Sequence, residues 1–121
     1  GNERVEEVWL TPAGGHLPSV AIPTDLILAT VTRHYGLTRE DILRRDRNDA
    51  IMRPRHMAMV LARRLTLRTL PELGRVFRRD GSTVRYAVDK MEDRAAQDPA
   101  LAAELAALEA EIRATAGASL S

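Results

Sequence analysis

The chain has 121 residues, 45% of them hydrophobic and 29% charged, which is room for one domain around a single core. It contains no cysteine, which excludes disulfides, thiolate catalysis and cysteine-held zinc, and no apolar run approaches the roughly 20 residues that cross a bilayer. The net charge of +1 hides a division: Arg33 to Arg94 hold 16 Lys+Arg against 9 Asp+Glu, whereas the two flanks together hold 2 basic and 8 acidic residues. A basic centre between acidic ends fits a polyanionic partner, with an arginine-rich solvated surface as the plain alternative.

Aromatic residues are few and Ala, Leu and Arg abundant, so the expected class is all-α, with an aliphatic core carried by helices. Residues 1–23 contain Pro12, Gly14, Gly15, Pro18 and Pro23 and read as an irregular arm, with Val5, Val8, Trp9 and Leu10 apolar enough to dock. No basic-then-apolar leader pattern is present, which sets the expectation of a cytoplasmic, nucleoid-associated protein. Thr24 or Asp25 is the expected cap of a first helix that places Ile27, Leu28, Val31 and Tyr35 on one face and stops at Gly36. Thr38 and Asp41 approximate a capping box for a short second helix bearing Ile42 and Leu43.

Residues 44–52 are charged and read as an exposed basic loop with Asn48 and Asp49 as turn formers, and Pro54 fits the first turn of a third helix. That helix is apolar nearly all round from Met57 to Ala62, which makes it central, while Arg53, His56, Arg63 and Arg64 share an arc of roughly 100° at helical spacing. Thr69-Leu70-Pro71-Glu72 is a capping box opening a two-turn helix that ends near Phe77. After Arg78-Arg79-Asp80-Gly81, a longer helix buries Val84, Ala87, Val88 and Met91 and turns Ser82, Thr83, Tyr86 and Lys90 outward. A short helix, a tight turn and a longer helix with a polar outer face form a helix-turn-helix. Asp98 and Pro99 start a last helix with a Leu101, Leu105, Leu108, Ile112 stripe, expected to end before Gly117 and leave 117–121 as a tail.

The run Arg53-Pro54-Arg55-His56-Met57-Ala58-Met59-Val60-Leu61-Ala62, then Leu70-Pro71-Glu72-Leu73-Gly74-x-x-Phe77, then Arg79-Asp80-Gly81-Ser82-Thr83-Val84 resembles the C-terminal DNA-binding domain of the bacterial replication initiator DnaA. Order and spacing agree from about Thr24 to Ile112, which is far more specific than a generic helix-turn-helix pattern. The resemblance implies a compact bundle of about six helices, Trp-repressor-like, over 24–116, reading double-stranded DNA at DnaA-box-like sites. It assigns base contacts to Arg47 in the minor groove and to Asp80, Ser82 and Thr83 in the major groove, with Gly81 at the family's histidine position. Phosphate contacts fall on Arg55, His56 and Arg63 and on the backbone at Leu70 and Pro71, where a helix start offers N–H groups, with Arg45, Arg53 and Arg79 beside them. The usual family turn reads Gly-Gly-Arg-Asp-His-Thr-Thr; here Phe77 is followed by a turn one residue shorter. A histidine restored at position 81 is therefore expected to sharpen base discrimination.

Each residue also has a plain structural reading: Arg47 as a solvated loop arginine, Asp80 as a cap, Ser82 and Thr83 as helix-start residues. His16, His34 and His56 are scattered without a carboxylate at ligand spacing, so neither a metal, a cofactor nor catalytic chemistry is expected. No Gly-x-x-x-x-Gly-Lys-Ser/Thr motif occurs, so no nucleotide is expected either, and no membrane partner. The alternative to DNA binding is a helical adaptor docking a protein partner, or a second copy, through the arm or the last helix. The stripe of the last helix more simply closes the bundle, being only about two heptads long.

Overall fold

The computed structural model describes residues 22–45 and 48–120, and among them every regular element is helical. The helices are α1 (Thr24–Tyr35), α2 (Arg39–Leu43), α3 (Asp49–Leu65), α4 (Leu70–Phe77), α5 (Gly81–Gln97) and α6 (Pro99–Leu120). The all-α class and the six-helix architecture are those the periodicities predict.

Most boundaries follow from local chemistry, and three differ from expectation. The cap of α1 is extended Pro23, with no side-chain cap bond; Thr24 is already helical and buried, and Asp25 pairs instead with Arg39 at 2.9 Å. Helix α3 begins at Asp49, several residues before Pro54, because the Asn48 Oδ1 accepts from the Ala50 N–H at 2.9 Å and caps the helix where turn chemistry was read. Pro54 therefore lies in the second turn and deprives the Ala50 carbonyl of its i+4 donor; Ala50 is exposed, so water can serve it. Helix α6 runs through Gly117 to Leu120, so residues 117–120 are helical rather than a tail: a glycine weakens a helix but ends it only where the chain turns left-handed. That occurs at Gly36, whose φ of 69° closes α1. The Thr38–Asp41 and Thr69–Glu72 capping boxes are both present, and Asp98 Oδ1 accepts from Ala100 and Leu101 N–H groups at 3.0 and 3.3 Å.

Helix α3 is the axis of the bundle, with Met57 to Ala62 no more than 1% exposed. Helices α1, α4, α5 and α6 pack around it. Leu101, Leu105, Leu108 and Ile112 are at most 3% exposed and lie on the faces of α1 and α5, so the stripe is consumed within the chain's own core and offers no seam to a second copy. Around this core the acidic α6 meets basic residues of α1 and α3. Glu104 accepts from Tyr35 Oη, from Arg53 Nη2 at 2.7 Å and, at 3.3 Å, faces His34 Nε2. Burial pushes the Tyr35 phenol above its usual range, reinforced by Glu104; burial would also raise Glu104, but its bonds from Tyr35 and Arg53 hold it below the usual carboxylate value. Arg33 pairs with Glu111 at 2.7 Å, and Arg64 bridges Glu92 and Glu109 at 2.5 and 3.2 Å.

Arg55 is not a surface residue. It is 2% exposed, with Nε donating to the Ile42 carbonyl at 2.7 Å and Nη2 donating to the Arg44 and Asp41 carbonyls at 2.8 and 3.3 Å. These are carbonyls that a five-residue helix leaves without internal donors, so a guanidinium from α3 caps the C-terminus of α2 from inside the protein. Arg55→Ala is expected to cost about 2–4 kcal/mol in urea denaturation, because it leaves the Ile42 and Asp41 carbonyls without this donor, and Arg55→Lys to recover only part, since an ammonium lacks the fork that spans them. An unchanged unfolding midpoint in Arg55→Ala would count against this role.

Candidate nucleic-acid interface

Helix α4 starts at a tight reciprocal cap: Thr69 Oγ1 accepts from the Glu72 N–H at 3.3 Å and Glu72 Oε1 from the Thr69 N–H at 2.7 Å. That backbone bond from Thr69 holds the Glu72 carboxyl below its ordinary value. Pro71 has no N–H, so at this helix start the donor left for an anion is that of Leu70; Pro71 shapes the site without donating to it. Leu73 and Phe77 enter the core and leave Arg75 exposed on the outer side.

The turn that follows is closed by one left-handed residue, Arg78, with φ 60° and ψ 42°, although it is not a glycine. The Arg79 N–H donates to the Gly74 carbonyl at 2.8 Å, and a Cβ at Gly74 would stand 2.4 Å from the Arg79 carbonyl oxygen. The chain therefore folds back onto α4 at van der Waals distance, which lets a short turn connect the two helices. Arg78 holds its conformation through both its ends: its side chain pairs with Glu40 at 3.2 Å and its carbonyl accepts from Arg45 Nη1 at 3.2 Å. Arg79 adds Nη2 to the Arg44 carbonyl at 2.7 Å and Nη1 to the Phe77 carbonyl at 2.6 Å. The segment leading out of α2 and the turn are thus clasped together.

Between α3 and this clasp lies a cleft of about 680 Å³. Met52, Met59 and Ala87 give it apolar walls, and Arg45, Arg55, Arg75, Arg78 and Arg79 surround it with positive charge. His56 is half-buried in it, and burial, followed by the charges of Arg55, Arg94, Arg79 and Lys90, holds its imidazole below the ordinary histidine value. A neutral His56 is the resting state at neutral pH, and an anion entering the cleft would favour its protonation. Asp80 and Thr83 also line the cleft at the start of α5. Asp80 occupies the N-cap position through its carbonyl, which accepts from Thr83 and Val84 N–H groups at 3.0 and 3.1 Å, but its carboxylate makes no capping bond and stays exposed. Ser82 and Thr83 are exposed beside it.

The structure therefore gathers Arg45, Arg55, His56, Arg79, Asp80 and Thr83 around one cleft and puts other expected residues elsewhere. Arg53 turns toward α6 and pairs with Glu104, so the expected four-residue cationic flank of α3 is split: Arg53 and Arg64 are neutralised by carboxylates, while Arg63 is exposed with no carboxylate partner among the described residues. Arg55 and Arg79 spend donors on backbone carbonyls and act first as fasteners, a correction to their reading as outward phosphate contacts. At Gly81 a Cβ would stand 3.1 Å from the Leu70 carbonyl and the Pro71 nitrogen, so a side chain there would start against the α4 backbone. Arg47 and the Val5 to Leu10 segment lie outside the described residues. Arg75 and Arg78 are cleft residues that the sequence reading passed over; the only signal was their exclusion from the Leu70, Leu73, Phe77 face of α4.

A short capped helix, a tight turn and a longer helix with an exposed polar start beside a basic cleft define a helix-turn-helix domain. The family described as bacterial dnaA protein helix-turn-helix matches residues 24–91, more than half of the chain. The chain belongs to this family. It is 42% identical over 108 residues to the chromosomal replication initiator protein DnaA of Bartonella quintana, covering 85% of this chain and 21% of that protein. The same-named proteins of Xanthobacter autotrophicus and a Caulobacter species are 44% and 43% identical over 88 and 93 residues, covering 72% and 76% of this chain. The chain spans about a fifth of the length of these relatives, 17–21%.

Two outcomes follow from this geometry. Because His56 is harder to protonate in the folded state than in the unfolded chain, the unfolded chain takes up its proton first as pH falls below the ordinary value of about 6.5. Wild-type stability should thus decline relative to His56→Gln as pH drops through that value, and converge with it above neutrality; parallel curves would show that the burial has no such effect. Gly81→His should lose about 1 kcal/mol or more of stability in denaturant titration, because α4 and α5 must separate by a few tenths of an ångström. A variant as stable as wild type would show that the α4 backbone gives way to the added side chain.

Proposed function

We propose that this chain is a sequence-specific duplex-DNA-binding domain, comprising residues 24–116, that reads DnaA-box-like sites in the control of replication initiation or transcription and hydrolyses no ATP itself. The observation that carries the reading is the start of α5, where Asp80, Ser82 and Thr83 stand exposed with the Asp80 carboxylate uncommitted, beside a cleft ringed by arginines. A carboxylate accepts from cytosine N4, and threonine offers both a hydroxyl and a methyl for thymine. Arg45, Arg63, Arg75, His56 and the Leu70 N–H are placed to meet phosphates, with Arg55 and Arg79 setting the cleft's shape and potential. Arg47 enters the minor groove on the strength of the resemblance, and Arg53 drops out because Glu104 holds it. The one lysine, Lys90, is on α5 and no phosphate-cradling glycine motif exists, which supports the absence of ATP turnover.

Selection from random duplexes followed by sequencing tests the reading, and should return a DnaA-box-like consensus. With roughly four to six phosphates neutralised, the log–log salt dependence of binding should have a slope of about −4 to −5. Arg63→Ala should weaken every duplex by a similar factor and make that slope shallower by about one unit, whereas Thr83→Ala should cost about 1 kcal/mol or more at a single base pair. A slope near zero, or no consensus from the selection, would overturn the proposal.

A further inference from the structure

We propose that Tyr86 reads the C5-methyl group of a thymine in the major groove, as a specificity residue one helical turn beyond those at the start of α5; this rests on the duplex-binding reading above. Tyr86 is 64% exposed and, among the described residues, is the large exposed aromatic. Val84, Ala87, Val88 and Met91 fix the inner face of α5, and at 3.6 residues per turn the opposite face carries Ser82, Tyr86, Asp93 and Asp89, the last paired with Arg85 at 3.8 Å, with Thr83 and Lys90 to one side. Tyr86 therefore stands on the outward face and, with Thr83, lines the basic cleft; a helix lying in a groove meets base edges along its outward face, while phosphates border the groove.

The ring is held rather than free. Lys90, one turn on, places its ammonium 5.5 Å from the ring centre and donates to the phenol oxygen at 3.3 Å. The phenol oxygen accepts from Lys90 and keeps its own O–H to donate, while the exposed ring is the large apolar surface on this part of α5; the apolar feature on the major-groove edge of a base pair is the thymine methyl. Tyr86 lies about 6 Å further along the helix axis than Ser82, a distance of nearly two base-pair steps, so it addresses a base pair that Asp80, Ser82 and Thr83 do not reach. Beyond it Asp93 presents an exposed carboxylate at the same angle, which ends the stretch of α5 suited to a polyanion.

The test uses the duplex selected by the wild-type chain, with each thymine replaced in turn by uracil, so that only the methyl is lost. One replacement should weaken wild type and Tyr86→Phe about fourfold, the value of one buried methyl-sized group, and leave Tyr86→Ala unaffected. Tyr86→Ala should bind the parent duplex about fourfold more weakly with an unchanged melting temperature, and Tyr86→Gln serves as a second exposed-site variant. The proposal is overturned if no single uracil matters, if the uracil penalty persists in Tyr86→Ala, or if Phe and Ala variants weaken all duplexes alike, which would mark a hydroxyl-to-phosphate contact. A wild-type chain that selects no sequence at all fails the duplex reading itself, and this inference falls with it; a selected consensus with any of the former results sinks the inference alone.

Discussion

The carbonyl oxygen of Arg44 accepts from two guanidinium groups, Arg55 rising from the core and Arg79 arriving from the turn between α4 and α5. Most of the interface depends on that meeting point. Arg55 secures the carbonyls at the end of α2, and Arg79 ties the turn to the same Arg44 carbonyl, beside the Arg78–Glu40 pair and the bond from Arg45 to the Arg78 carbonyl. A buried guanidinium is costly unless its donors are matched, and here backbone carbonyls accept from them. The same residue thus fastens the fold and contributes to the field at the surface, which explains why it cannot be sorted as either structural or functional.

The acidic last helix acquires a purpose once the bundle is closed. Glu104, Glu109 and Glu111 on α6 meet Arg53, Arg64 and Arg33, so positive charge is cancelled on the α6 side and left standing on the side of α4 and α5. A net charge near zero in total is compatible with a strongly directional molecule, because the folding pattern separates the signs. These exposed pairs add little to stability individually. Their effect is to decide which face a polyanion approaches.

Helices with strong apolar periodicity were legible in the sequence: the all-round apolar α3, the four-residue stripe of α6 and both capping boxes stand where spacing put them. Boundaries governed by a single side chain were less so. Asn48 reads equally as a turn former or a cap, and only the Ala50 N–H bond distinguishes the two. The candidate site was legible in its location and less in its division of labour. Nothing in the spacing of Arg53, His56, Arg63 and Arg64 reveals that carboxylates 28 to 51 residues away take two of them. Likewise Arg55 and Arg63 look alike in sequence, one being core and the other surface, because burial of an arginine depends on carbonyls supplied by another helix.

The contacts at Gly74 and Gly81 bring the α4 backbone against the turn and the first residue of α5, with no side chain between them at those two points. Two helices in such contact move as one rigid piece, since no rotamer change or repacked methyl can let one tilt against the other. The direction in which the second helix leaves the body is consequently set by the main chain. A side chain exchanged on the outer face of α5 is then presented at an angle that these contacts fix in advance.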